Sequence, residues 1–234
     1  MNLLIIGDSH VLRLRNSKGS DRLEDCLWDD ETRVNSNCFQ HHFAKSKDLP
    51  IEIYYSGHRG KTAYAGTYYE NNIYPCIKNF IDKETLVLAW FGYIDIKQFL
   101  PLADTKKSEH AVSNYIDKTL AYFKDNKVRF IEPLPQFINA IGTGNPLFSF
   151  EERDPHQKEF LEELRRQCEI RGLEKPISIE NILGVKALDE SFECHECNDC
   201  INNPLKPLLL DHPKKEYFEK ILDAIVKEYA PTID

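Results

Sequence analysis

No run of apolar residues in this chain approaches the ~20 needed to cross a bilayer as a helix. The amino end has no basic segment before an apolar stretch and no small-residue cleavage site, so an export signal is not expected. Positive charge is also in short supply: 30 Lys and Arg stand against 38 Asp and Glu, a net charge of −8. A broad nucleic-acid footprint needs a basic surface, and this chain lacks one. There is no internal repeat and no low-complexity linker. Seven cysteines are present, an odd number at irregular spacing. Without an export signal they read as reduced thiols in a cytoplasmic setting.

The chain has 234 residues, of which 41% are hydrophobic and 29% charged. That is the size and balance of one globular domain with a sizeable core, here taken as residues 1–234. Strand and helix patterns alternate. Apolar runs predict strands at Asn2–Ile6, Ile51–Tyr55, Leu86–Phe91 and Val128–Ile131, with a weaker one at Pro176–Ile179. The third of these is apolar throughout, as expected of a central parallel strand covered on both faces.

Helices are predicted at about Tyr69–Asp82, Ser108–Asn126 and Pro155–Arg171, and from Pro213 to near the end. Val112, Ile116, Leu120 and Phe123 recur at helical spacing, as do Phe160, Leu164 and Cys168. Gly172 reads as a C-cap and Pro213 as a first helical residue. Tyr217, Phe218, Ile221, Leu222, Ile225 and Val226 form a wide apolar face on the last helix. Residues 16–48 read as a long polar segment with a short helix near Cys38–Lys45. Residues 183–210 read as an irregular, Cys-rich insertion. The alternation implies an α/β fold: a three-layer α/β/α sandwich around a mostly parallel sheet of about five strands.

Chemistry concentrates where strands end. The first strand runs straight into Gly7-Asp8-Ser9-His10, which puts a serine hydroxyl at the carboxyl edge of the sheet, where open α/β sheets bind ligands. Taken alone, Ser9 is equally well read as a helix N-cap. Ser56-Gly57-His58-Arg59-Gly60-Lys61-Thr62 follows the second strand, and a glycine loop there can bring a backbone N–H to a substrate oxyanion. Trp90-Phe91-Gly92-Tyr93-Ile94-Asp95 follows the third. Asp211-His212-Pro213 opens the last helix, and a histidine at that point can take a proton from a serine or simply lie on the surface.

Serine, glycine, third-block and histidine segments in this chain order resemble the SGNH, or GDSL-like, hydrolase superfamily over nearly the whole chain. The resemblance implies strand order 2-1-3-4-5 and an esterase or acyl-transfer activity on an O-acylated carbohydrate or small ester. It also implies Ser9 as nucleophile, His212 as base and the N–H groups of Ser9 and Gly60 as the oxyanion hole. The loop and helix from Gly144-Asn145-Pro146 through Arg153 to Cys168 resemble a branch whose third block reads Gly-x-Ile-Asp. That branch tends to occur beside polysaccharide-modifying proteins.

Two positions depart from the superfamily pattern. Ile94 stands where an asparagine amide normally donates to the oxyanion, and loss of one such donor costs roughly 10²–10³ in turnover. Leu209 stands where the acid normally lies, three residues before the histidine. Asp211 is the nearest carboxylate, and it either orients His212 or caps the last helix. Asp95, Lys97 and Arg153 are candidate contacts for an anionic or glycan substrate.

Cys194, Cys197 and Cys200 are spaced so that two or three thiolates could meet one zinc ion, with His195 or Cys168 as a further ligand. No second, distant Cys-x2-Cys pair accompanies them. The reading adopted assigns no metal and no cofactor. It assigns a small-molecule or glycan ester as the partner, neither nucleic acid nor membrane, and leaves the oligomeric state open. The adjacent pairs His41-His42 and Tyr68-Tyr69 are read as structural, because neighbouring residues do not face one site.

Overall fold

The computed structural model describes residues 2–8, 10–11, 13–14, 20–22, 41–46, 49–58, 62–63, 77, 81–102, 107–138, 148–192 and 213–230. They build a six-stranded sheet in the order β2-β3-β4-β1-β5-β6. The strands are β1 (Asn2–Gly7), β2 (Ser20–Arg22), β3 (His41–Ser46), β4 (Glu52–His58), β5 (Leu86–Trp90) and β6 (Val128–Phe130). β1 lies between β4 and β5, parallel to both, and β6 continues the parallel set beyond β5. A single parallel bridge, Ile131 to Ile177, carries the order one step further. The five predicted strands therefore stand in the order 2-1-3-4-5, although the fifth is a bridge flanked by two hydrogen bonds rather than a full strand.

The other edge differs from the expectation. β3 occupies part of the segment read as a short helix near Cys38–Lys45, and β2 lies within the stretch read as polar and irregular. β3 runs antiparallel to β4, with His41 opposite His58 and Lys45 opposite Tyr54. Local signals lose here to cross-strand bonding. The Ser46 hydroxyl accepts from the Ile53 N–H at 3.0 Å, and Lys45 forms an ion pair with Glu52. Neither feature shows in the hydrophobic pattern of the segment itself.

β1 alternates between the two faces. Leu4 and Ile6 join one core with Val87, Ala89, Phe91, Phe130 and the helices α1 (Lys107–Tyr122) and α2 (Phe150–Ile170). Leu3 and Ile5 join the other with Leu88, Trp90, α3 (Ile179–Leu183) and α4 (Lys215–Tyr229). All four β1 side chains are fully buried. Each contributes about 1.5–3 kcal/mol by transfer from water, which makes this strand the spine of the three layers. The stripe Phe160, Leu164 and Cys168 and the face Phe218, Ile221, Leu222 and Ile225 are buried as their spacing predicted.

Helix ends show which local signals governed. α2 begins at Phe150, five residues before Pro155, because Ser149 and Glu152 form a reciprocal capping box. Pro155 is inside the helix, not at its start. Gly172, at φ +65°, closes α2 as expected: its N–H donates to the Glu169 carbonyl and the Leu173 N–H to that of Cys168. α4 begins at Lys215, two residues after Pro213. Most of the helix predicted at about Tyr69–Asp82 and most of the 183–210 insertion lie outside the described residues, although the Ile81 N–H donates to the Ile77 carbonyl at 3.2 Å. Among the described residues, no helix is long and apolar enough to cross a membrane.

A buried polar network closes the far side of the sheet. Glu132 is 1% exposed and accepts from Arg165 at 2.6 Å, and Glu180 lies close enough for repulsion between the two carboxylates. Partial burial, then the Glu132 charge, pushes the Glu180 carboxyl above its ordinary range. A raised carboxyl stabilises the fold while protonated, and that contribution is lost as pH rises through the folded-state value. Glu180→Gln is therefore expected to unfold at higher urea than wild type near pH ~7, with the gap closing below pH ~4.

A second expectation concerns the end of β1. A Cβ on Gly7 would lie 2.1 Å from the Trp90 carbonyl oxygen and 2.7 Å from Val11 Cγ2. Gly7→Ala is expected to cost at least about 2 kcal/mol in urea unfolding, because the clash is with backbone.

Candidate active site

The register of the central strands levels three segments at one edge. Gly7 stands opposite Gly57 on β4 and opposite Trp90 on β5. The turns after Gly7 and Trp90 and the end of β4 therefore open together at the carboxyl edge. β4 extends through Ser56-Gly57-His58, so the second block starts within the strand and not after it. Contact between β1 and β5 continues past the ladder, where the Asp8 N–H donates to the Trp90 carbonyl at 3.2 Å.

Ser9, Gly60, Asp211 and His212 lie outside the described residues. The residues on either side of Ser9 are held tightly. Asp8 is 1% exposed and His10 is 2% exposed. Asp8 Oδ1 accepts from the His10 backbone N–H at 2.9 Å and pairs with His10 Nδ1 at 2.8 Å. The Asp8 carbonyl accepts from the Val11 N–H at 3.2 Å. An N-cap side chain accepts from a backbone N–H two or three residues on, and the Asp8 carboxylate does so from His10. The Asp8–His10 pair was not singled out from the sequence. Its signal, an Asx residue two before a histidine at a strand end, stands in the first block itself.

The third block makes its own turn. Gly92 adopts φ +117°, and a Cβ there would lie 2.6 Å from Phe160, so the position needs glycine on both counts. Ile94 leads into a π-helical turn over Asp95–Phe99. Such turns are rare.

All three expected substrate contacts are buried, and two of them bond protein atoms. Asp95 is buried, and its Oδ2 accepts from the Ala63 N–H at 2.7 Å, tying the second block to the third across 32 positions of chain. Lys97 is buried in the same π-helical turn. Arg153 is 0% exposed. It donates to Gln136 Oε1 and the Phe137 carbonyl at 2.9 Å each, and to the Ser149 carbonyl at 3.2 Å. A guanidinium offers five N–H donors, and two of the Arg153 bonds pin α2 to the segment after β6 while the third returns to the N-cap residue of α2 itself.

Cys194, His195, Cys197 and Cys200 lie outside the described residues. Cys168 is buried in the core under α2, and burial pushes its thiol up to about 11. Among the described residues, no group of three or more His, Cys, Asp or Glu is arranged to hold a metal ion.

No protein-family model and no curated protein matches the chain. Solved structures do. An alpha/beta hydrolase enzyme from the metagenome of Lake Arreo, Spain, aligns at a TM-score of 0.53 and 17% identity, covering 97% of this chain and 93% of that one. A variant of an acetyl xylan esterase from Geobacillus stearothermophilus gives 0.51 and 14%, covering 100% and 96%. The native aryl esterase of M. smegmatis gives 0.51 and 15%, covering 97% of each chain. The fold is thus the three-layer α/β/α sandwich shared with these structures, in the strand order that the resemblance implied.

Asp95→Ala is expected to remove amide-exchange protection at Ala63 while leaving that of β1 and β5 intact. The cost in urea unfolding is about 1.5–3 kcal/mol, the range for a hydrogen bond to a charged group. Asp95→Asn, which keeps an acceptor oxygen, is expected to retain most of the protection.

Proposed function

We propose that the protein is a serine esterase or acyl-transfer enzyme of the SGNH type, acting on an O-acylated carbohydrate or small ester. The observation that carries the reading is the end of β1. A central strand stops at a glycine packed against the neighbouring backbone, and the residues flanking Ser9 are buried and hydrogen-bonded at the carboxyl edge. Strand ends of this kind hold a nucleophile where a substrate can reach it. The similarity to an acetyl xylan esterase and an aryl esterase supports ester chemistry on this fold.

In the proposed mechanism, His212 takes the Ser9 proton while Ser9 Oγ attacks the ester carbonyl carbon. The N–H groups of Ser9 and Gly60 hold the resulting oxyanion. Collapse of the tetrahedral intermediate breaks the ester C–O bond, and His212 returns its proton to the leaving alcohol. Water, or a sugar hydroxyl, then repeats the sequence on the acyl-enzyme, so hydrolysis and transfer share one intermediate. No cofactor takes part, and the substrate is a small ester or glycan ester taken up in a cytoplasmic setting.

A second reading, a module that keeps the fold with weakened or no catalysis, draws on Ile94. Its side chain leads into the π-helical turn at the place of the usual amide donor and has no polar atom to offer. The two readings part on one experiment. Purified protein is expected to hydrolyse short-chain aryl esters and to be labelled by a fluorophosphonate probe, both lost in Ser9→Ala. Absence of labelling in the wild type would favour the non-catalytic module, and activity unchanged in Ser9→Ala would remove Ser9 as nucleophile.

A further inference from the structure

We propose that His10 is a positioning residue that couples the nucleophile turn to the third block and to the last helix. The inference rests on the serine-esterase reading and adds a residue to it. Its basis is the juxtaposition of one buried imidazole with Asp8, Trp90, Tyr93 and Phe218.

The His10 ring is bound on one side and boxed on the others. Nδ1 lies 2.8 Å from Asp8 Oδ1, which also accepts the His10 backbone N–H at 2.9 Å. One carboxylate oxygen therefore fixes both the backbone and the ring of His10, across the intervening Ser9. The ring meets Tyr93 edge-on at 4.5 Å between centroids, Phe218 nearly stacked at 6.3 Å, and Trp90 tilted at 6.2 Å. Trp90 and Tyr93 belong to the third block, and Phe218 lies on α4, six residues after His212.

The packing has a mechanical consequence. The Asp8–His10 bonds restrict rotation of the backbone on both sides of Ser9. Contacts to Phe218 tie that turn to the helix whose amino end follows His212. A shift of about 1 Å between nucleophile and base costs on the order of 10²-fold in rate. A residue bonded to Asp8 and packed on Phe218 of α4 is placed to govern that distance in the proposed reaction. A buried histidine held by a carboxylate also costs desolvation, which an apolar residue at position 10 would avoid. The polar tie is therefore retained at an energetic disadvantage, which a positioning role accounts for.

The test measures the rate of fluorophosphonate labelling of Ser9, with near-ultraviolet circular dichroism to confirm packing. His10→Asn places an amide N–H where Nδ1–H stands, so it is expected to label within about threefold of wild type. His10→Gln reaches past that point, and His10→Phe fills the aromatic box but cannot donate to Asp8. Both are expected to label roughly 10–100-fold more slowly. The KM for a short-chain aryl ester is expected to hold steady, since the loss falls on kcat. If His10→Phe does not fold, Asp8→Asn carries the same test: it keeps the capping oxygen, removes the charge that holds the imidazole N–H, and slows labelling. Equal rates in wild type, His10→Gln and a folded His10→Phe would overturn the positioning role and leave the esterase reading standing. No labelling of the wild type would overturn both.

Discussion

The close approach of Gly7 to the Trp90 carbonyl is the constraint on which the site depends. The backbone of β1 can come this near β5 only because position 7 carries no side chain. Closeness sets the register that levels Gly7, Gly57 and Trp90. It also lets the Asp8 N–H reach the Trp90 carbonyl and continue the sheet contact by one residue past the strand. Everything that opens at the carboxyl edge takes its height from this point. A glycine there costs conformational entropy on folding, offset by the four fully buried aliphatic side chains that precede it.

Above that anchor the edge is held by polar groups that turn away from solvent. Asp8 bonds His10, Asp95 bonds the Ala63 N–H, and Arg153 bonds Gln136 and Phe137. A buried polar group without a partner costs about 1–3 kcal/mol, so each pairing fixes a loop position as well as satisfying an atom. Two of these ties cross between blocks. Asp95 joins the second block to the third, and His10 joins the first to the third and to α4. The edge therefore behaves as one braced unit, the condition under which reacting groups keep a fixed geometry.

Legibility in the sequence followed how local each signal was. Continuous apolar runs marked β1, β5 and β6, and chain order plus resemblance gave the strand order. The apolar stripes of α2 and α4 were read correctly, because helical spacing is a property of the helix alone. β2 and β3 were not legible, since their pairing is decided by β4 and not by their own composition. Proline misled twice. Pro155 and Pro213 look like helix starts, whereas the Ser149–Glu152 capping box and Lys214 mark the real ones. At the sheet edge, the strand ends that carry the first three blocks were legible but the burial of their charged residues was not. Arg153 and Asp95 look from the sequence like ligand contacts, and only burial reveals that protein atoms take their bonds.

The departures at Ile94 and Leu209 bear on this bracing. In the proposed reaction, an aliphatic side chain at 94 leaves oxyanion stabilisation to backbone N–H groups, and a leucine at 209 leaves His212 without the usual acid. Backbone donors cannot be re-aimed by a side-chain rotamer, so their positions must be set by the fold itself. Gly7 against Trp90 fixes the end of β1, and Asp95 against the Ala63 N–H fixes the chain just after the second block. A site that has lost side-chain donors gains most from such ties. Substitutions at the buried carboxylates of Asp8 and Asp95 should accordingly weigh more on turnover than substitutions among exposed charges at the same edge.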